Sequence, residues 1–419
     1  MRYGWLLPLL FLCACSREAT DYVDPRIGSE GLGRVFIGPS VPFGMVRPSP
    51  DCTPSPNSGW LPLPERVDGF AQIHVSGTGG GPKYGNVLIM PLTDPEDRYG
   101  QREEEEIALG YYATRFGNSG VGVEVTASDR VSLYRIRYPG AGGYLLTDLD
   151  FFLGRSETPG AREAQEFVDA GLEIIDNQNI SGYQTLRGGW NNGGPYTVYF
   201  HLRTSAPFTV EEAEDHRSLV RFGEAEAVEV RIGLSFRDRD HARENLKALE
   251  GVDFEGVRAR CVNRWEDLLS RVKVRGSVRE KRMFYTALYH TMLMPSDRTG
   301  EWAPAGDEIY YDDFYALWDT YRTSLPLITL LDPARMRDIA NALLTIYRHD
   351  GFLPDARSGN ANGRTQGGSN AEIVFADAFV KGVEGVDYAL ALEAMRKDAE
   401  VQPADDEAEG RGFEYFDCQ

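Results

Sequence analysis

Cysteine is scarce in this chain, five in 419 residues. Cys13 and Cys15 sit near the start, and Cys52, Cys261 and Cys418 are scattered without a Cys-x-x-Cys spacing. That pattern excludes a disulfide framework and a thiolate metal centre, leaving three structural or incidental thiols. The six histidines are equally dispersed, with no His-x-x-x-His pair, which disfavours a zinc hydrolase. No Gly-x-Ser-x-Gly elbow occurs, so serine-hydrolase chemistry is disfavoured as well. Positive charge is also in short supply: 44 Lys and Arg against 64 Asp and Glu give a net charge of −20. A field of that sign disfavours nucleic acid and anionic membrane surfaces as partners, and suits a neutral or cationic substrate or simple solubility. Beyond the first residues, no apolar run approaches the about 20 residues of a membrane span.

The amino terminus carries a targeting pattern. Arg2 supplies the positive end, residues 3–12 the apolar run, and Leu12-Cys13-Ala14-Cys15 fits a bacterial lipobox. Acylation of Cys15 would anchor the mature protein to a bacterial membrane without spanning it, and the expected location is the cell envelope. At this length two or three domains are expected, and 42% apolar with 11% aromatic residues is a globular composition.

From about residue 21 to 240 the periodicity is that of strands. Val228, Val230, Ile232, Leu234 and Phe236 alternate with polar or small residues, as do Tyr196, Val198, Phe200 and Leu202. Val121, Val123, Val125 and Tyr134, Ile136, Tyr138 repeat the pattern, with Gly/Asn/Pro clusters between runs. Many short strands with such punctuation predict an antiparallel β-sandwich over residues 21–240. Near His241 the period becomes helical. Residues 242–249 and 257–272 form a helical linker (241–276), with Trp265, Leu268 and Leu269 on one stripe. Further helices are predicted from Phe284, Ala287, Leu288, Thr291 and Met292, and from Met336 to Tyr347 with Asp332 as N-cap and Pro333 at the first position. Another opens at Ser369-Asn370-Ala371-Glu372, read as a capping box before Ile373, Ala376 and Val380; a last one covers residues 389–395. Residues 398–419 are acidic and non-periodic, and poor order is expected there.

Three stretches carry candidate chemistry. Trp318-Asp319 pairs a flat apolar face, suited to the C–H side of a pyranose, with a carboxylate that accepts from adjacent hydroxyls. The competing bland reading is a helix-terminal Asp satisfied by its backbone or by Arg322. The Gly-rich turn of residues 363–370 contains Gln366, Ser369 and Asn370, lacks Walker spacing, and suits hydroxyls better than phosphate. His74, Gly77 and Thr78 lie in a glycine-rich stretch where His74 is a candidate hydroxyl donor, although a wide hairpin or interdomain loop is the preferred reading of it. Glu372, Asp355 and Asp377 are acids near the helical loops, but spacing does not pair any two of them for glycoside hydrolysis.

Several blocks in order resemble glycoside hydrolase family 92, the calcium-dependent exo-acting α-mannosidases. They are Tyr22-Val23-Asp24-Pro25-Arg26-Ile27-Gly28, Val41-Pro42-Phe43-Gly44-Met45-Val46-Arg47-Pro48, His74-Val75-Ser76-Gly77-Thr78-Gly79 and Gly110-Tyr111-Tyr112. Phe284-Tyr285-Thr286-Ala287-Leu288-Tyr289-His290-Thr291, Leu317-Trp318-Asp319-Thr320 and Ala376-Asp377-Ala378 continue the series. The resemblance implies a β-sandwich, a helical linker and an (α/α)6 toroid whose first part occupies residues 277–400, followed by an acidic tail. It further implies terminal α-mannose on glycans as substrate, inverting hydrolysis, and Ca²⁺ on the 2- and 3-hydroxyls. Trp318 and Asp319 would contact the terminal mannose. The family's acid lies in a Gly-Asn-Glu-Pro block and its base in a Gly-Asn-Asp block, and neither occurs in these 419 residues. The chain as given is therefore expected not to hydrolyse, with most calcium ligands missing too. The alternative expectation is a lipid-anchored carbohydrate-binding protein without catalysis.

Overall fold

The structure is a computed structural model. It describes residues 18–31, 34–52, 58–77, 81–158, 160–161, 163–363 and 370–404; Cys15, Thr78, Gln366 and Ser369 lie outside the described residues.

The alternating runs become strands with one parity shut away. Ala227–Ser235 buries Val228, Val230, Ile232 and Leu234, and Gly193–Thr204 buries Tyr196, Val198, Phe200 and Leu202. Each such side chain contributes about 1.5–3 kcal/mol when fully buried, so a one-residue slip that turned a strand over would be heavily penalised. The register is fixed accordingly, with Phe200 opposite Leu234, Leu202 opposite Ile232 and Val230 opposite Tyr134. Two antiparallel sheets result. One has six strands in the order Ser49–Cys52, Val67–Ala71, Leu88–Leu92, Tyr144–Asp148, Arg217–Phe222 and Phe208–Ala213. The other has eight, in the order Arg102–Ala108, Tyr111–Phe116, Gly122–Ala127, Val131–Arg137, Ala227–Ser235, Gly193–Thr204, Asn179–Gly188 and Gln165–Ile174. Ile89, Leu145 and Val220 from the first share one core with Val123, Tyr134, Phe200 and Ile232 from the second, which makes the pair a sandwich.

Helices follow: α1 (Arg239–Lys247), α2 (Phe254–Leu269), α3 (Val278–Thr291), α4 (Leu317–Thr320), α5 (Ser324–Leu331), α6 (Pro333–Asp350), α7 (Ala371–Val380) and α8 (Tyr388–Glu400). Their starts are chemically marked. Asp238, Asp253 and Asp387 accept from backbone N–H groups of α1, α2 and α8, Ser277 and Glu280 form a capping box on α3, and Asp332 caps α6 ahead of Pro333. The helices α5 to α8 pack on one another around Ile328, Ile339, Leu343, Phe375 and Ala391. The amino-terminal stretch belongs partly to this core: Ala19 and Tyr22 are buried in it, Tyr22 stacks on Tyr285 at 5.8 Å, and Thr20 binds the Glu266 carboxylate.

Three helical expectations need correction. In α3 the buried stripe is Tyr285, Leu288 and Tyr289, while Phe284 and Ala287 face outward. The stripe is rotated because Tyr22 and Trp265 pack on the tyrosine side. In α7 the N-cap is Asn370, with no side-chain capping bond, and the buried face is Ala371, Val374, Phe375 and Ala378. Ile373 and Val380 are exposed, Val380 to 83%. The last helix runs on to Glu400, because Asp398 is buried and accepts from the Leu353 N–H. Among the described residues no helix is long and apolar enough to cross a membrane.

Candidate functional site

Between sandwich and helices, two short ribbons fill the seam: Ser296–Asp297 with Tyr311–Asp312, and Tyr315–Ala316 with Ala356–Arg357. They carry Asp312 and Asp313 into full burial. Two buried carboxylates cost several kcal/mol each unless neutralised and hydrogen-bonded. Here Arg298 binds both, at 2.7 Å to Asp312 and 3.0 Å to Asp313. Ser296 donates to Asp313 at 2.6 Å, Ser358 at 2.8 Å and the Tyr84 hydroxyl at 2.5 Å. The Arg47 guanidinium stands 3.8 Å away. Burial alone would raise the Asp313 carboxyl, but Arg298 and then Arg47 outweigh it and hold the group below the usual carboxylate range. Burial drives the Tyr84 phenol well above its ordinary value, so it stays a neutral donor. The cluster is charged, fills the Asp313 carboxylate with donors from within, and welds Tyr84 of the sandwich to the helical region.

His74 belongs to the sandwich side of this seam and does not reach solvent. Its Nδ1 lies 2.8 Å from the Arg47 carbonyl and its Nε2 3.0 Å from Asp51 Oδ1, with the ring fully buried. The expectation of a hydroxyl donor is corrected: both nitrogens are taken, and the residue props Arg47, which in turn donates to the His74 carbonyl at 3.3 Å. Gly77 follows at φ +70°, with open space where a Cβ would be.

A different corner faces water. The Leu317 N–H donates to the Asp355 carbonyl at 2.9 Å, tying the start of α4 to the ribbon. Leu317 is buried, and the chain then turns Trp318 (38% exposed) and Asp319 outward. Arg322 Nε donates to the Trp318 carbonyl at 3.4 Å and not to Asp319, which has no hydrogen-bond or ion-pair partner among the described residues. Thr320 Oγ1 beside it is buried, likewise without a hydrogen-bond partner there. Asn370, the last residue of the Gly-rich turn, places its Nδ2 3.5 Å from Asp355 Oδ1. Asp355 thus ties the backbone just before Trp318 and Asp319 to the Asn370 side chain, while His74 is buried elsewhere. The corner offers an indole face and an available carboxylate, the combination that holds a small polyhydroxylated ligand. Of the other acids, Asp377 pairs with Lys381 at 2.6 Å at the end of α7.

Calcium needs six to eight oxygens, several of them carboxylate. Among the described residues no group of three or more His, Cys, Asp or Glu converges on a point. The seam acids already face guanidinium groups, so the described residues do not make a calcium site. Cys52 and Cys261 are buried free thiols, pushed by desolvation up to about 11 and about 12, which makes them unreactive.

The reading by motif missed Arg47, Tyr84, Arg298, Asp312 and Asp313. One signal existed: Asp312-Asp313 interrupts the aromatic run Tyr310-Tyr311 and Phe314, where unpaired charge would not be tolerated.

Residues 22–243 match the model of the glycosyl hydrolase family 92 N-terminal domain, and residues 241–418 that of the family 92 catalytic domain. A protein of Arthroderma benhamiae, described as an uncharacterized secreted glycosidase, is 29% identical over 98% of this chain and 57% of its own length. The family GH92 α-mannosidase of Bacteroides thetaiotaomicron in complex with mannoimidazole superposes with a TM-score of 0.82 at 27% identity, over 93% of this chain and 56% of that one. An inverting family GH92 mannosidase of the same organism shares the fold, with a TM-score of 0.79 at 23% identity, over 96% and 58% of the two chains. The chain spans a little over half the length of these relatives. With matching family models meeting end to end along it, the chain belongs to glycosyl hydrolase family 92.

Proposed function

We propose that these residues form the sandwich and the sugar-contacting corner of an exported glycosidase that removes terminal α-linked mannose from glycans with inversion. The observation that carries the reading is the pairing of exposed Trp318 with available Asp319, in a family 92 fold whose solved relative holds mannoimidazole. The Trp318 indole packs against the C–H face of the sugar, Asp319 accepts from adjacent hydroxyls, and Asn370 borders the ring. Proton transfer is assigned to no residue here, since neither the Gly-Asn-Glu-Pro nor the Gly-Asn-Asp block occurs in the 419 residues. These residues by themselves bind and do not hydrolyse. Calcium enters the reading only through the family, and no described residue is assigned to it. Export rests on the pattern at Leu12-Cys13-Ala14-Cys15, with lipid on Cys15 as the proposed anchor at a bacterial envelope.

Calorimetry with mannoimidazole tests this. Saturable binding that falls at least about tenfold in Trp318→Ala and Asp319→Asn is the expected result. Binding unchanged in both variants would overturn the assignment of the corner. Release of mannose from an aryl α-mannoside above blank would overturn the claim that these residues do not hydrolyse.

A further inference from the structure

A second contact between the sandwich and the helical region is built differently from the carboxylate seam. Lys83 is fully buried, and among the described residues no carboxylate forms an ion pair with its Nζ. The Nζ donates to the Gly188 carbonyl at 2.6 Å and to Asn191 Oδ1 at 2.8 Å, and stands 4.8 Å from the centre of the Tyr196 ring. An amine on carbon offers donors here and no acceptor while protonated, so the oxygen of the Asn191 amide has to face it. The amide nitrogen is thereby turned the other way, where Asn191 Nδ2 donates to the carbonyls of Ser358 (3.0 Å) and Ala361 (3.3 Å). The Gly193 N–H also donates to Asn191 Oδ1, at 3.3 Å, so Lys83 is the shorter of two donors that hold the oxygen end of the amide while its nitrogen serves the turn.

The turn gripped in this way is the one next to the sugar-contacting corner. It grows from the stem Ala356–Arg357, which pairs with Tyr315–Ala316 immediately before Trp318. It closes where the Gly363 N–H returns to the Ala356 carbonyl at 2.8 Å, and the chain goes on to the stretch ending at Asn370. Packing is close enough to forbid side chains. A Cβ on Gly359 would stand 2.8 Å from the Tyr196 ring and 3.1 Å from Lys83 Cε, and one on Gly363 would stand 2.3 Å from Asn191 Cβ. We infer that Lys83 is a positioning residue: together with the Gly193 N–H it holds the oxygen end of the Asn191 amide, and so steadies the turn of residues 358–363 and the sugar-binding corner it supports. This rests on the function proposed above for Trp318 and Asp319.

The test compares Lys83→Met, Asn191→Asp and the double variant in the full 419-residue chain. Asn191→Asp is the diagnostic change, because it keeps the volume and gives Lys83 an ion-pair partner, yet removes both donors to Ser358 and Ala361. A purely space-filling role for Asn191 predicts a variant with wild-type behaviour everywhere. The positioning role predicts hydrogen exchange across residues 358–363 faster by about tenfold, the worth of about one neutral hydrogen bond, with unchanged exchange in the strands Ala227–Ser235 and Gly193–Thr204 and an undiminished Tm. Lys83→Met is expected to accelerate the same segment, and the double variant to add little, since the two residues act in series. Mannoimidazole affinity should fall together with that protection. Wild-type exchange in Asn191→Asp, or additive effects in the double variant, would overturn the inference. If the wild-type chain shows no affinity for mannoimidazole, the sugar-binding reading fails, and the exchange of residues 358–363 still decides the role of Lys83.

Discussion

Asp313 and Asp319 are near neighbours in the chain and sit in opposite surroundings. Asp313 is fully buried, with Arg298, Ser296, Tyr84 and Ser358 all within hydrogen-bond reach. Asp319 is exposed, has no partner among the described residues, and lies beside an indole turned to water. The contrast separates holding from binding. A carboxylate whose lone pairs are filled by the protein has nothing left for a ligand, however central its position. A carboxylate left free next to an apolar face costs little in water and keeps its full capacity for a sugar hydroxyl. Burial and charge alone would have nominated Asp313 as the functional acid; counting its bonds removes it.

The largest effect should come from breaking the buried side of this comparison. Asp313→Ala leaves Arg298 with Asp312 alone and removes the carboxylate 3.8 Å from Arg47, and should cost about 3–5 kcal/mol in chemical denaturation. A loss below about 1 kcal/mol would mean that the seam is wetter than its geometry implies.

The next effect is a pH dependence. Burial brings the Lys83 ammonium down to about 7, opposed in part by Asp312 and Asp313 and assisted by Arg298 across the seam, with Tyr84 and Tyr196 as the neighbouring phenols. In the unfolded chain the same group titrates near its ordinary 10.5. Between those values the unfolded state binds the extra proton, so stability rises with pH from about 7 toward about 10 and is lost as pH falls through that window. Wild type should gain on Lys83→Met by up to about 1.4 kcal/mol per pH unit between about pH 7.5 and 9.5, read as the difference between two urea-midpoint series. Parallel series would show that Lys83 is not desolvated.

On the exposed side, Asp319→Asn and Trp318→Ala should leave Tm within the spread of surface substitutions, about 0.5 kcal/mol, while sugar affinity drops. A stability loss of the size expected for Asp313→Ala would place Trp318 in the core and erase the contrast. The smallest effect is expected from Val380→Ser on α7: the residue is 83% exposed, so folding free energy should change by less than about 0.5 kcal/mol.

The strands were legible because burial on one face of a sheet imposes a period of two, and Val228 to Leu234 or Tyr196 to Leu202 carry it without interruption. Helix starts were legible where the cap is local, as at Asp332 and Pro333. The faces of α3 and α7 were misjudged, because which stripe of a mixed helix is buried depends on the partner: Tyr22 and Trp265 draw Tyr285 and Tyr289 inward at the expense of Phe284. Trp318 and Asp319 were nominated by chemistry that needs no context, and the structure leaves both exposed. His74 looked equally suitable, and failed because Asp51 and the Arg47 carbonyl, distant in sequence, use up its ring.

Residue order thus fixed the sandwich pattern, the capped helices and the family blocks, since each depends on neighbours within a few positions. Which polar groups are spent and which are spare was settled by folding. Arg298, Tyr84 and Asp313, and likewise Lys83, Asn191 and Ser358, come from separate stretches and meet only across the seam. Whether a carboxylate or an amide still has a bond to offer depends on groups brought within about 3 Å of it, a distance that sequence separation does not encode.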